Sequence, residues 1–242
     1  MKRLLNNNSN TINLHPDYQE VTDSFSSEYR LSIRKMMHEI NNALTLINSS
    51  LQIIESSHPE VKSFKYWDTT IDDIHYLINL VSEISYFNNS DNLSPEPTDI
   101  IALIESIINS FKAYGRADAL DISVKALTPI PILQCDKTKL KQVLINLIKN
   151  AYEAINQNSN SSYIHITISY NNENMEIIIA DNGCGMDAEQ LDNIFTPMIS
   201  YKPNGNGLGL SISKRIIEAH GGTLTVESDK NTGTKFLITL PT

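Results

Sequence analysis

The chain has 242 residues, 40% of them hydrophobic, enough for a folded core in one large domain or two modest ones. Its 19 Lys and Arg against 28 Asp and Glu give a formal charge of −9 without long blocks of one sign, so nucleic acid is not an expected partner. Only two cysteines occur, Cys135 and Cys184, too few and too far apart for a disulfide framework or a paired zinc site, and a reducing cytoplasm is expected. No apolar run approaches the roughly 20 residues that cross a bilayer. The opening "MKRLL" leads into "NNNSNT" and not into the apolar core of a signal peptide, so a soluble cytoplasmic chain lacking its own membrane sensor is expected.

Residues 1–23 are polar, Asn-rich and without a period, and read as a flexible arm. From Ile33 the apolar residues Ile33, Met37, Ile40, Leu44, Ile47, Leu51 and Ile54 alternate gaps of four and three, the heptad spacing of a helix seam. Pro59 in "SSHPE" ends that helix, because the residue before a proline is pushed from helical angles. A second stripe, Trp67, Ile71, Ile74, Ile78 and Val81, is widened by Leu77 and Ile84, so it can bury on two sides. Residues 24–90 therefore read as an antiparallel helical hairpin. One hairpin cannot cover both stripes, whereas two related by a twofold axis close a four-helix bundle. Burying each seam residue is worth about 1.5–3 kcal/mol, so a homodimer is expected. The segment "FNNSDNLSPEPTD" then reads as a semi-stiff linker, with the domain boundary at residues 91–98.

Over residues 99–242 the pattern changes. A helix over "IIALIESIINSFKAYG" and a strand over "ISVKAL" precede a long helix, "KTKLKQVLINLIKNAYEAI". Strands "YIHITISY" and "MEIIIAD" meet at "NNEN"; a Gly-rich region, the helix "LSISKRIIEAH" and the strands "GTLTVES" and "TKFLITL" follow. Helices and adjacent strand pairs in this order predict an α/β sandwich with one mixed sheet, hence an α+β chain overall.

Three pieces of this second domain carry chemistry. In "NLIKNAYEA", Asn146, Asn150 and Ala154 recur every four residues and share a helix face, which on its own could be two exposed amides. In "DNGCGM", Asp181 to Met186, a carboxylate at a strand end can accept from an exocyclic amine, and glycines let the backbone approach a flat base. In "GNGLGLSISKRI", Gly205, Gly207 and Gly209 lead into a helix, whose N–H groups and dipole suit phosphate.

Together "NLIKNAYEA", "DNGCGM", "IFTPMISYK" and "GNGLGL", followed by "HGGTLTVES" and "GTKFLITLP", resemble the N, G1, F and G2 boxes and closing strands of the sensor histidine kinase catalytic domain, of the GHKL (Bergerat) ATPase superfamily. The resemblance implies ATP and Mg²⁺ as cofactors. Asp181 would bind the adenine amine, with Gly183, Gly185 and Met186 shaping that wall, and Asn150 would ligate Mg²⁺. Lys202, Gly205, Gly207, Leu208 and Gly209 would meet the phosphates on a lid running from about Phe195 to Asn206, and Thr234 would lie near the nucleotide. Asn146 stands where hydrolytic relatives carry a glutamate base. An amide cannot activate water, which suits a kinase that must keep the γ-phosphoryl for its acceptor.

"HEINNALT" resembles the phospho-acceptor box of the same family. With Met37, Ile40 and Leu44 on the seam, His38, Glu39 and Asn42 fall at outward positions. A histidine on a helix surface is usually inert, but one beside an ATP-binding domain is a candidate nucleophile. Glu39 is placed to take the ring proton, and Asn42, one turn on, corresponds to the family position that orients water for dephosphorylating a response regulator. The same face continues through Thr45, Ser49, Gln52 and Ser56, a polar strip that reads as a docking surface for a receiver domain or as a solvated face. Three positions depart from the family pattern: Ala43 replaces a common proline, and Met198 and Tyr201 replace an aromatic and a threonine of the lid. The remaining histidines, His15, His58, His75, His165 and His220, have no comparable partner set.

The expected function is autophosphorylation of His38 and transfer to an aspartate of a separate response regulator, with a phosphatase activity through Asn42. A separate sensor protein that uses residues 1–23 is a candidate partner. The alternatives are a phosphotransfer or scaffold protein with little ATP turnover, and a GHKL-type serine kinase in which the "HEINN" helix plays no part.

Overall fold

The computed structural model describes residues 16–113, 120–155, 162–202 and 205–242. Helix α1 runs unbroken from Pro16 to Ser57. Residues 1–15 of the expected arm lie outside the described residues, and 16–23 form the start of α1. No glycine or proline interrupts the chain between Pro16 and Pro59, and proline is tolerated in a helix's first turn. A polar, aperiodic stretch lacks a face to bury, not the ability to continue a helix already begun. The helix also continues through Ala43.

The inward row of α1 is Ile33, Met37, Asn41, Leu44, Asn48, Leu51 and Glu55, rotated from the apolar seam. Only Leu44 in it is fully buried, and Ile40, Ile47 and Ile54 stay 37%, 45% and 41% exposed. A 3₁₀ turn, Pro59–Ser63, follows with Val61 buried, and Lys62 Nζ lies 2.6 Å from Glu55 Oε1. Helix α2 spans Trp67–Asn89. The chain divides into two compact units between His75 and Tyr76, within α2.

In the second unit, Leu80, Ile84 and Phe87 of α2 pack on its hydrophobic core. The expected linker is held there too. Ser90 is buried, Ser94 N–H donates to Asp136 Oδ2 at 3.0 Å, and Lys139 Nζ donates to the Asn92 carbonyl. Strand β1 (Glu96–Thr98) then pairs antiparallel with β3 (Leu133–Cys135), an unexpected two-stranded sheet. Residues 91–98, expected as a semi-stiff linker, are thus bonded to the C-terminal unit.

Helix α3 (Ile100–Ala113) precedes β2 (Asp121–Ala126), and α4 covers Lys137–Ala154. Asp136 caps α4 by accepting from Lys139 N–H at 3.0 Å. Leu140, Val143, Leu144, Leu147, Ile148 and Ala151 form its buried face at helical spacing. The main sheet has strand order β2-β4-β5-β7-β6, with β4 Tyr163–Tyr170, β5 Asn174–Asp181, β6 Thr223–Asp229 and β7 Gly233–Pro241. β2 and β4 are parallel and all other pairs antiparallel, the expected mixed sheet. Side chains of α3, α4 and of α6 (Gly209–Ala219) share one core with the inward residues of the strands. A short helix, α5 (Ala188–Asn193), arises within the Gly-rich region, started by a capping box between Asp187 and Gln190.

Candidate nucleotide site

Strand alternation decides where the key carboxylate goes. Met175, Ile177 and Ile179 point into the core, and Asp181, two residues on, shares their face and is 5% exposed. Burial pushes its carboxyl above the ordinary range, opposed by backbone N–H bonds from Gly183, at 2.8 Å, and Thr234, its register partner on β7. No lysine, arginine or histidine pairs with it among the described residues. A buried carboxylate without a cation is costly, so a site that keeps one has a use for it.

The loop after β5 is pressed onto the end of α4. A Cβ on Gly183 would lie 2.6 Å from the Ala154 carbonyl oxygen, and Cys184 N–H donates to that oxygen at 2.9 Å. The far side of the loop is held by β6 and β7: Asn231 N–H reaches the Cys184 carbonyl at 2.7 Å, and Met186 N–H reaches Ser228 Oγ at 3.0 Å. Ser228 Oγ also donates to Gly233 O at 2.8 Å and lies 3.0 Å from Thr234 Oγ1. Asp181, Gly183, Gly185, Met186 and Thr234 thus come together. Ser228, which joins three of these segments, was not legible beforehand, because its role depends on its pairing opposite Thr234.

The other half of the site lies along α4. Asn146 Nδ2 donates to Ser213 Oγ at 2.9 Å, and Ser213 Oγ donates to Gly209 O at 2.9 Å. A Cβ on Gly209 would meet Asn146 Oδ1 at 2.6 Å, so glycine here lets α6 begin against α4. One turn on, Asn150 Oδ1 accepts from Lys202 Nζ at 2.8 Å, and the same ammonium lies 2.5 Å from Glu153 Oε2. Glu153 is a second residue that sequence reasoning missed, since an exposed glutamate on a helix carries no signal of its own. The lid is fixed at one point by Met198 N–H to Gly207 O at 3.0 Å, and Asn206 Nδ2 reaches Glu83 Oε2 at 3.3 Å. Residues 203 and 204 of the lid lie outside the described residues. Leu208 is buried at the start of α6, whose N-terminal N–H groups follow the glycines. Asn146, Asn150 and Ala154, spaced by four, therefore link the phosphate-type loop, the lid lysine and the Asp181 pocket along one helix.

Residues 135–242 match the family described as histidine kinase-, DNA gyrase B-, and HSP90-like ATPase. Sporulation kinase D of Bacillus subtilis (strain 168) is 30% identical over 205 residues, covering 84% of this chain and 40% of that one. The catalytic domain of the histidine kinase ThkA, a solved structure, is 30% identical with a TM-score of 0.55, covering 61% of this chain and 95% of that domain. The chain belongs to the sensor histidine kinase family. A structure of ThkA in complex with the response regulator protein TrrA is also similar to it, at 25% identity and a TM-score of 0.63, covering 94% of this chain and 67% of that one. This histidine kinase relative spans about two-fifths of the length of sporulation kinase D. His38, Glu39 and Asn42 are all exposed on α1, in the N-terminal unit. No described helix is long and apolar enough to cross a membrane.

Proposed function

We propose that the chain is an ATP-dependent protein histidine kinase that autophosphorylates His38 and passes the phosphoryl group to an aspartate of a response regulator. The observation that carries this reading is the buried carboxylate of Asp181 at the end of β5, without a cationic partner among the described residues, in a domain of the ATPase family. An exocyclic adenine amine is a donor that such an acceptor needs, and Gly183, with no Cβ, lets the loop beside Asp181 pack against Ala154 of α4. Asn146, bound to Ser213 as an amide, offers no general base to water, which favours transfer over hydrolysis.

The residues divide the work. Asp181, with Gly183, Gly185, Met186 and Thr234, orients the base. The α6 N-terminus, with Gly205, Gly207, Leu208, Gly209 and Lys202, receives the phosphates. Asn150 fits a divalent cation: its Oδ1 already accepts a cationic donor, the Lys202 ammonium, and hard cations take carboxamide oxygens. Mg²⁺ held there would supply charge neutralisation along the phosphates. The free ring nitrogen of His38 attacks the γ-phosphorus; the P–N bond forms as the bond to the β,γ-bridging oxygen breaks, ADP leaves, and the proton on the other nitrogen passes to Glu39. Asn42 is the residue for orienting a hydrolytic water on the regulator's phospho-aspartate.

The exposed row Ile40, Ile47 and Ile54, repeating every seven residues, supports a homodimer in which a second hairpin covers it. The test is incubation of the 242-residue chain with γ-labelled ATP and Mg²⁺, comparing wild type with His38→Ala and Asn150→Ala. Acid-labile label on the wild type and none on His38→Ala is expected; label persisting on His38→Ala would sink the reading, and acid-stable label would favour a serine kinase.

A further inference from the structure

Lys202 is held by two residues of α4 at once. Its ammonium lies 2.8 Å from Asn150 Oδ1 and 2.5 Å from Glu153 Oε2, and Glu153 also has Lys149 Nζ at 3.7 Å from its other oxygen. Asn150 and Glu153 are one turn apart on the same side of the helix, so a single lid side chain can span both. The Asn150 oxygen is also the atom assigned above to the metal. It cannot serve an ammonium and a divalent cation together, because the two positive charges would sit within a few ångströms of each other.

We propose that Glu153 is a positioning residue for the lid: it keeps Lys202 beside α4 while Asn150 is handed from the lysine to the metal. Glu153 is the anion that makes the exchange workable. An ammonium released by a neutral amide alone would return to water, and the lid with it. With Glu153 one turn away it needs only to swing about its own stem to face phosphate. The lid has a second attachment, Met198 N–H to Gly207 O, and Gly205 N–H donates to Lys202 O at 3.2 Å. The proposal rests on the nucleotide-site reading, and its test uses neither nucleotide nor phosphoryl transfer, so the two can fail separately.

The measurement is amide hydrogen exchange across residues 198–206 of the full chain without nucleotide. Both side chains are over a third exposed, 45% for Lys202 and 37% for Glu153, so the effect should be that of a screened pair. Glu153→Gln and Lys202→Gln are each expected to speed lid exchange about two- to fivefold. The double variant should add nothing further, Lys202→Arg should stay near wild type, and 1 M salt should remove the difference. A merely structural role for Glu153 would lower the unfolding midpoint without this pairing with Lys202. Equal lid exchange in wild type and both single variants overturns the proposal, as does an effect of Glu153→Gln that persists undiminished in the Lys202→Gln background.

Discussion

Arg215 on α6 grips Asp91 with a fork: Nε–H donates to Oδ1 at 2.8 Å and Nη2–H to Oδ2 at 2.5 Å, while the guanidinium sits 4.8 Å over the Phe87 ring. The two residues are 124 positions apart, and the bond ties the segment after α2 to α6 within the C-terminal unit. The same side chains, with Phe195 and Lys214, line a cavity of about 520 Å³ that contains none of the residues assigned to nucleotide. Arg215→Ala should raise amide exchange over residues 90–95 severalfold and cost roughly 0.5–1 kcal/mol by urea unfolding, since Asp91 is 41% exposed and the pair is partly screened. Arg215→Lys should not restore protection, because one ammonium cannot reproduce the fork. Unchanged exchange would assign the tether to Asp136 and the β1–β3 pairing alone.

Asp181 makes a prediction with a definite sign in pH. Its carboxyl is held above the ordinary range, chiefly by burial, so folding favours the protonated form. That contribution is complete below the ordinary carboxylate value, about 3.9, and is lost as pH rises through the raised folded value. Asp181→Asn, neutral throughout, should match wild-type stability near pH 4 and exceed it at pH 7. ATP affinity should nevertheless fall by roughly tenfold or more, the worth of a hydrogen bond to a charged acceptor. Calorimetric binding with urea unfolding at the two pH values checks both; a variant less stable than wild type at pH 7 would contradict the assignment.

Asn146 has a structural partner as well as a chemical meaning. Asn146→Ala should cost about 1 kcal/mol for the lost bond, with Ser213 still donating to Gly209 O. Asn146→Glu puts a longer carboxylate where even the present amide oxygen would lie 2.6 Å from a Cβ on Gly209. It is expected to unfold at lower urea than Asn146→Ala and to release no more inorganic phosphate than wild type. A clear gain in hydrolysis would mean the α4–α6 contact can open to admit a base.

Most of the C-terminal unit was legible because its elements carry strong local periods: two along β4 and β5, about 3.6 along α4. The spacing by four of Asn146, Asn150 and Ala154 also placed them correctly on one helix face. What was not legible depended on pairing between distant segments. β1 and β3 are three residues each and have no period, and β1 contains Pro97, so "EPT" reads as linker until "LQC" lies beside it. Ser228 acquires its role only opposite Thr234, and Glu153 only when the lid brings Lys202 to it. α5 needed its capping box to be weighed against the glycines around it.

By itself, the sequence determined the kind of molecule: a helical hairpin with an outward histidine, a mixed sheet under helices, and the boxes of a nucleotide site in order. Local propensity and side-chain periodicity act over a few residues, and both are written directly in the chain. The tertiary structure decided which face of β5 is buried with Asp181 on it, that the segment after α2 is bound to the C-terminal unit, and that the lid lysine is bonded to Asn150. Those outcomes follow from burial, which changes what a carboxylate costs, and from contacts between groups many tens of residues apart, which no local pattern encodes.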